Sequence, residues 1–294
     1  MRNNGGVYMK IKGVVLAAGY GSRFLPVTKT IPKEMIPLLN RPAIDFIIEE
    51  MINSGIDEIL IVTSNRKKSL ENYYSRDIEL ENIFKMENAK EKLMAITPPD
   101  CKIMFIEQTE MRGTGHALLL AKDFIGNDAF IVAYPDDVVF GDTPLSRQLI
   151  TCYQNTGCMV LATVHRPSHL ERYGVIKVAP DGLHVEALIE KPALGTEPSE
   201  YASVGRYLYT PEIFELLQSE LKSHEEISPR SEFHHVSSIS ILARQEKVVF
   251  EEVKGQRFDL GSPDSYLLGL LHFAETLPEM RVVLNQWREK TMGE

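Results

Sequence analysis

Cysteine is scarce in this chain of 294 residues, with only Cys101, Cys152 and Cys158 present. Three thiols without metal-site spacing form neither a zinc site nor a disulfide framework, so a reducing, cytoplasmic setting is expected. Long apolar runs are missing too. No window approaches the ~18 consecutive apolar residues of a membrane-spanning helix, and no membrane partner is expected. A basic excess is absent: 32 Lys and Arg face 41 Asp and Glu, for a formal net charge of −9. Nucleic-acid-binding surfaces normally carry the opposite sign, which argues against such a partner. Residues 1–10 are polar, contain Gly5-Gly6 and lack the apolar core of a signal peptide. Residues 1–9 are expected to form a loose tail, with Met9 as an alternative start. Internal repeats and low-complexity linkers are also missing.

What is present is an ordinary globular composition, 44% hydrophobic and 25% charged, enough for a substantial core. Residues 10–275 read as one domain and 276–294 as a C-terminal helical extension. Strand-like apolar runs fall at 14–17, 58–63, 102–107 and 129–133, separated by helical patterns. Between the first two, Ile44, Ile47, Ile48, Met51 and Ile52 recur at helical spacing before a stop at Gly55. Alternating strands and helices imply an α/β fold, a mainly parallel mixed sheet flanked by helices. Further strands are expected at 159–164, 175–178, 185–189 and 247–253, the last ending before a turn at 255–261. Helices are expected at 211–221 and over 263–290, interrupted at Pro278. The charged segment 66–95 has helical character and reads as a subdomain or arm.

Residues 13–37 carry the strongest signal. The run Val14-Val15-Leu16 empties into Ala17-Ala18-Gly19-Tyr20-Gly21-Ser22-Arg23. Small residues there let backbone approach a ligand, and successive N–H groups of such a loop cradle anions. Phe24 stands where the dinucleotide fingerprint needs its third glycine, and no Gly-Lys-Ser/Thr closes a P-loop. Alone, Gly19-x-Gly21 is a tight turn. Joined to Arg23, Lys29 and Pro32-Lys33-Glu34, it reads as a nucleoside-triphosphate site. Lys29 stays open between a phosphate contact and a solvated surface cation. Pro135-Asp136-Asp137 also follows a strand, so both motifs fall at the carboxyl edge of the sheet, where such folds bind ligands.

The pattern Ala-Ala-Gly-x-Gly-Ser/Thr-Arg-x-x-Pro-x-Thr-Lys-x-x-Pro-Lys-Glu-Met resembles the signature of the sugar-1-phosphate nucleotidylyltransferases, especially their bacterial UTP- and glucose-1-phosphate-using branch. The likeness runs from about residue 10 to 274. Its later landmarks, in order, are Gly113-Thr114-Gly115-His116-Ala117, Pro135-Asp136-Asp137, Tyr173-Gly174-Val175-Ile176, Glu190-Lys191-Pro192, Val204-Gly205-Arg206-Tyr207 and Arg257-Phe258-Asp259-Leu260-Gly261. The resemblance implies a Rossmann-like nucleotidyltransferase fold with small β insertions on the sugar side. It implies uridylyl transfer from UTP to glucose 1-phosphate, giving UDP-glucose and pyrophosphate, with Mg²⁺ and a homodimer or homotetramer.

It also implies roles, position by position. Arg23 and Lys33 meet the triphosphate and Lys191 the sugar phosphate, as the catalytic cations. Ala17, Ala18, Gly19, Gly21, Glu34, Gln108, Gly113 and Asp136 bind the nucleotide, with Gln108 and Gly113 at the uracil. Gly174, Glu190, Lys191 and Gly205 bind the sugar phosphate. Asp136 and Asp259 hold the metal, and Asp137 supports Asp136. His116 reads as a structural histidine, because a dianionic phosphate nucleophile needs no general base. One segment departs from the family. Residues 231–239 read Ser-Glu-Phe-His-His-Val-Ser-Ser-Ile where the family has Gly-Glu-Ile-Gln-Leu-Thr-Asp-Ala. Asp264 is a second departure, an extra acidic residue after the metal aspartate. Two alternatives stay open: another pair, such as dTTP with glucose 1-phosphate or GTP with mannose 1-phosphate, and a non-catalytic regulatory paralogue.

Overall fold

The computed structural model describes residues 10–228 and 231–292, so the expected tail at 1–9, with Met9, lies outside it. The chain begins β1 (Ile11–Leu16), β2 (Pro37–Leu38), β3 (Arg41–Pro42), α1 (Ala43–Asn53) and β4 (Glu58–Thr63). Helices α2 (Lys68–Tyr74), α3 (Ile78–Met86) and α4 (Lys90–Ile96) follow, then β5 (Lys102–Glu107), α5 (Thr114–Leu119) and α6 (Lys122–Ile125). Next come β6 (Ala129–Ala133), β7 (Asp137–Phe140), α7 (Leu145–Thr156), β8 (Met159–His165), β9 (Gly174–Val178) and β10 (Val185–Glu190). The chain continues with β11 (Tyr201–Tyr209), α8 (Glu212–Ile227), α9 (Val236–Ala243), β12 (Val248–Glu252), β13 (Gln256–Asp259), α10 (Pro263–Thr276) and α11 (Pro278–Met292).

A nine-stranded sheet runs β10-β9-β11-β6-β1-β4-β5, with β8 joined to β11 and β12 to β8. Strands β6, β1, β4 and β5 are parallel neighbours. Strand β11 enters antiparallel to β6, β8 and β9. The expected α/β class with helices on both faces is what forms, and β1 shows why. Val14 and Leu16 point into one core with Phe130, Tyr209 and Phe214. Val15 and Ala17 point into the other with Ile44, Ile47 and Met51. A strand buried on both faces must be apolar throughout, which is what the run 14–17 encodes. Helix α1 buries Ile44, Ile47, Ile48 and Met51, each contributing roughly 1.5–3 kcal/mol of transfer free energy. Gly55, at φ +87°, then turns the chain in the left-handed region a glycine tolerates.

Two elements overturn the sequence reading. Strand β11 was not expected, because Ser203, Gly205 and Arg206 interrupt its apolar pattern, yet it is buried over most of its length. Arg206 is 1% exposed and sits there because it pairs with Glu50 at 3.0 Å. Strand β13 occupies the stretch read as a turn at 255–261. It pairs antiparallel with β7 and sets Asp259 opposite Asp137. The arm at 66–95 resolves into α2, α3 and α4. Among the described residues no helix is long and apolar enough to cross a membrane.

Behind the ligand edge, His235 is wedged among aromatic rings. It is 1% exposed, its ring centre lies 5.1 Å from that of Tyr207, and its Nδ1 lies 3.1 Å from Thr114 Oγ1. Burial, helped by the neighbouring His234, pushes its pKa down to about 3. An ordinary histidine titrates near ~6.5, so the unfolded chain takes up a proton that the folded chain refuses. This contribution to stability is fully present above about pH 6.5 and is lost as the pH falls toward 3, by at most ~1.4 kcal/mol per pH unit. Between about pH 6.5 and about pH 5, urea unfolding is expected to show about 2 kcal/mol more loss in wild type than in His235→Leu. Equal losses in the two proteins would remove His235 as the cause.

Candidate active site

The loop after β1 is built around close approaches. The Ala17 N–H donates to Val62 O at 2.8 Å, tying the end of β1 to β4. Single 3₁₀ turns at Ser22–Phe24, Val27–Lys29 and Lys33–Met35 then fold the loop back on itself. Gly21 has φ +67°, and a Cβ there would lie 3.1 Å from both Lys33 Cβ and Thr28 Cγ2. Its bare backbone lets the lysine turn lie against the loop, which aims Lys33 at the carboxyl edge of the sheet.

Two cavities open along that edge. One, of about 390 Å³, is lined by Ala18, Gly19, Lys33, Gln108 and Gly113 among others. The second, of about 410 Å³, is lined by Gly174, Glu190, Lys191, Gly205 and Asp259, with Arg172 and Arg257 adding cations. Arg23, Thr114, Tyr134 and Asp136 line both, so the cavities meet at a shared waist. In the first cavity, Gln108 is 3% exposed, and its Nε2 lies 3.1 Å from Gly113 O and 3.0 Å from His116 Nδ1. Gly113 and His116 thus orient the Gln108 amide.

Charge at the waist is tightly compensated. Lys33 Nζ donates to Asp136 Oδ2 at 2.5 Å. Burial works against the ammonium, but the Asp136 carboxylate outweighs it and the Lys33 pKa is raised. Burial likewise opposes ionisation of Asp136, and Lys33 more than reverses this, holding its pKa below the usual value. Asp259 differs. Burial raises its pKa, the Gly261 N–H offsets this in part, and the nearby Asp136 and Asp137 charges add to the rise. Asp137 is fully engaged elsewhere. It accepts from Arg257 Nε at 2.7 Å and Nη2 at 2.9 Å, and from the Gly205 N–H at 2.7 Å.

The remaining carboxylates suit a divalent metal. A Cβ built on Gly261 would lie 2.7 Å from Asp136 Oδ2, 2.8 Å from Asp259 Oδ1 and 3.3 Å from Arg23 Nη1. The bare glycine keeps a small space between two carboxylate oxygens. Among the described residues no cluster of three or more His, Cys, Asp or Glu could hold a metal alone. A pair of carboxylates plus substrate phosphate oxygens and water is the donor set that Mg²⁺ accepts.

Most residues singled out from sequence meet at these cavities, but Ala17, Gly21 and Glu34 do not, nor does Lys29, which lines a separate pocket with Tyr20 and Arg66. Ala17 is buried behind the loop, and its carbonyl accepts from Lys67 Nζ at 2.6 Å. Gly21 shapes the loop without lining either cavity. Glu34 is 1% exposed, with both carboxylate oxygens 2.9 Å from Lys67 Nζ, so a buried ion pair takes the group expected at the nucleotide. Asp259 is partly exposed at the end of β13. Sequence reasoning missed Arg172, Tyr134, His234 and Arg257 as wall residues. Arg257 had a signal, since it lies two residues before Asp259 on one strand and shares its face.

The sequence model of the family described as Nucleotidyl transferase matches residues 12–275. The UTP–glucose-1-phosphate uridylyltransferase of Staphylococcus epidermidis is 36% identical over 275 residues, covering 92% of this chain and 94% of that protein. Its namesake in Streptococcus pneumoniae serotype 4 is 38% identical over 283 residues, covering 92% of each. Among solved structures, a UTP-bound UGPase from Acinetobacter baumannii superposes with TM-score 0.83 at 31% identity, over 95% of this chain and 98% of that one. A UDP-glucose pyrophosphorylase complexed with UDP-glucose gives TM-score 0.78 at 32% identity, over 92% and 100%. The chain belongs to the nucleotidyl transferase family.

Proposed function

We propose that this chain transfers the uridylyl group of UTP to glucose 1-phosphate, releasing pyrophosphate and forming UDP-glucose. The observation that carries this reading is the pair of cavities meeting at Arg23, Thr114, Tyr134 and Asp136, the shape a nucleoside diphosphate joined to a sugar requires. Relatives at 36% and 38% identity bear this activity in their names, and solved relatives hold UTP and UDP-glucose. A sugar-phosphate oxygen attacks the α-phosphorus, and the bond from that phosphorus to the pyrophosphate bridging oxygen breaks. The nucleophile is already largely dianionic at neutral pH, since its second pKa is about 6. The protein's work is to align two repelling anions and offset charge at the phosphorus. Arg23 and Lys33 face the triphosphate, while Lys191, Arg172 and Arg257 face the sugar phosphate. Gln108 and Gly113 meet the base edge, and Glu190 accepts from sugar hydroxyls. Mg²⁺ held by Asp136 and Asp259 would supply a counter-charge for the triphosphate. Residues 10–275 form the catalytic domain in this reading, and 276–294 a helical extension.

Pyrophosphate release is the test, with glucose 1-phosphate offered beside UTP, dTTP, GTP, ATP or CTP, with Mg²⁺ and with chelator. Selective turnover with UTP, abolished by chelation, is expected. Faster turnover with a different nucleotide would keep the mechanism and replace the substrate. Silence with all five would overturn the reading.

A further inference from the structure

Residues 231–235 form a strap across both cavities that leads into α9. Phe233 and His235 are 3% and 1% exposed, while Glu232 and His234 face out, and the helical backbone of His235 (φ −76°, ψ −3°) turns the segment into α9. Phe233 pins the strap from both sides of its backbone. Its N–H donates to Arg112 O at 2.8 Å, and its carbonyl accepts from the Gly115 N–H at 2.9 Å. Two glycines make room for it. A Cβ on Gly113 would lie 2.4 Å from Phe233 O, and one on Gly115 would lie 2.5 Å from Phe233 Cε1. With Phe233 fixed in this way, Glu232 becomes a wall of the first cavity and His234 a wall of the second. His234 Nδ1 lies 3.3 Å from Oγ1 of Thr114, which lines both cavities, and its Nε2 lies 3.7 Å from Glu232 Oε2.

We infer that this strap determines specificity for both substrates, Glu232 on the nucleoside and His234 on the sugar phosphate. The assignment rests on the function proposed above and deepens it. An ionised carboxylate only accepts hydrogen bonds and repels phosphate, so Glu232 suits the hydroxyl donors of a ribose. An imidazole can donate to a phosphate oxygen or bond a sugar hydroxyl in either direction, which suits the cation-rich second cavity. Both side chains are exposed and the strap is held by the Phe233 backbone, so substitutions at 232 and 234 leave the fold intact.

Steady-state kinetics with each substrate varied in turn tests the inference. His234→Ala is expected to raise KM for glucose 1-phosphate about tenfold, with KM for UTP within about twofold of wild type. His234→Gln, which keeps a hydrogen-bonding group, recovers part of that loss. Glu232→Ala shows the reverse split and erases most of the preference for UTP over its 2′-deoxy analogue. With an active wild type, KM values that stay unchanged, or that move together in both variants, overturn the strap as a specificity element and leave the function standing. A wild type silent with this substrate pair overturns the proposed function and the inference with it.

Discussion

Asp259→Asn is expected to cut turnover at least about a thousandfold, roughly 4 kcal/mol of transition-state stabilisation, while the protein becomes no less stable. The two effects have one origin. Asp259 sits on β13 opposite Asp137, and its Oδ1 shares with Asp136 Oδ2 the small space kept open by Gly261. Burial and the two neighbouring carboxylates disfavour its charge, so its pKa is raised in the folded chain. The linkage sign follows: the penalty is absent below the unfolded carboxyl value of ~3.9 and grows as the pH rises through the raised folded value. Asparagine keeps the shape and the Gly261 contact but removes that repulsion, so stability at neutral pH is expected to hold or rise. The same change deprives a divalent cation of one of its two carboxylates. Pyrophosphate release and urea midpoints measured on one preparation check both halves. Wild-type turnover in the variant would remove Asp259 from the metal site, and a large stability loss would contradict the charge argument.

Lys67→Met should destabilise the protein by about 3–5 kcal/mol, the usual cost of removing one partner of a buried ion pair. The Lys67 and Glu34 side chains are 7% and 0% exposed. Lys67 Nζ also donates to Ala17 O, so one ammonium joins the phosphate loop, the lysine turn and the segment after β4. Methionine preserves the length of the stem and strands the Glu34 carboxylate in a buried setting. Adding Glu34→Leu is expected to recover most of the loss, because a packed apolar pair avoids the desolvation of two charges. Urea denaturation of the four proteins in the cycle measures the coupling. Additive losses would mean that the pair contributes little beyond its packing.

Much of this was legible along the chain because the information is local. The runs at 58–63, 102–107 and 129–133 are strands with those limits, since uninterrupted apolar sequence between helices leaves few alternatives. Strand ends placed the glycine-rich loop and Asp136 at one edge, the family resemblance added Lys33, Gln108, Lys191 and Asp259 to the same site, and these residues line the two cavities. Strand β11 was hidden by Arg206, a charge whose burial is offset by Glu50 and the Asp137 carbonyl, both far away in sequence. Glu34 belonged to the signature, yet its partner Lys67 lies outside any motif, and nothing local told a ligand contact from a buried ion pair.

Composition, periodicity and motif order thus determined the fold class and the carboxyl-edge site, because each depends on neighbours within a few residues or on one strand. The tertiary structure decided the rest. It separated Asp136, paired with Lys33, from Asp137, clamped by Arg257, although the two are adjacent in sequence. It turned the divergent segment at 231–235 into a strap against Gly113 and Gly115. Pairing, burial and docking are relations between distant parts of the chain, and their energies exist only once the chain has folded.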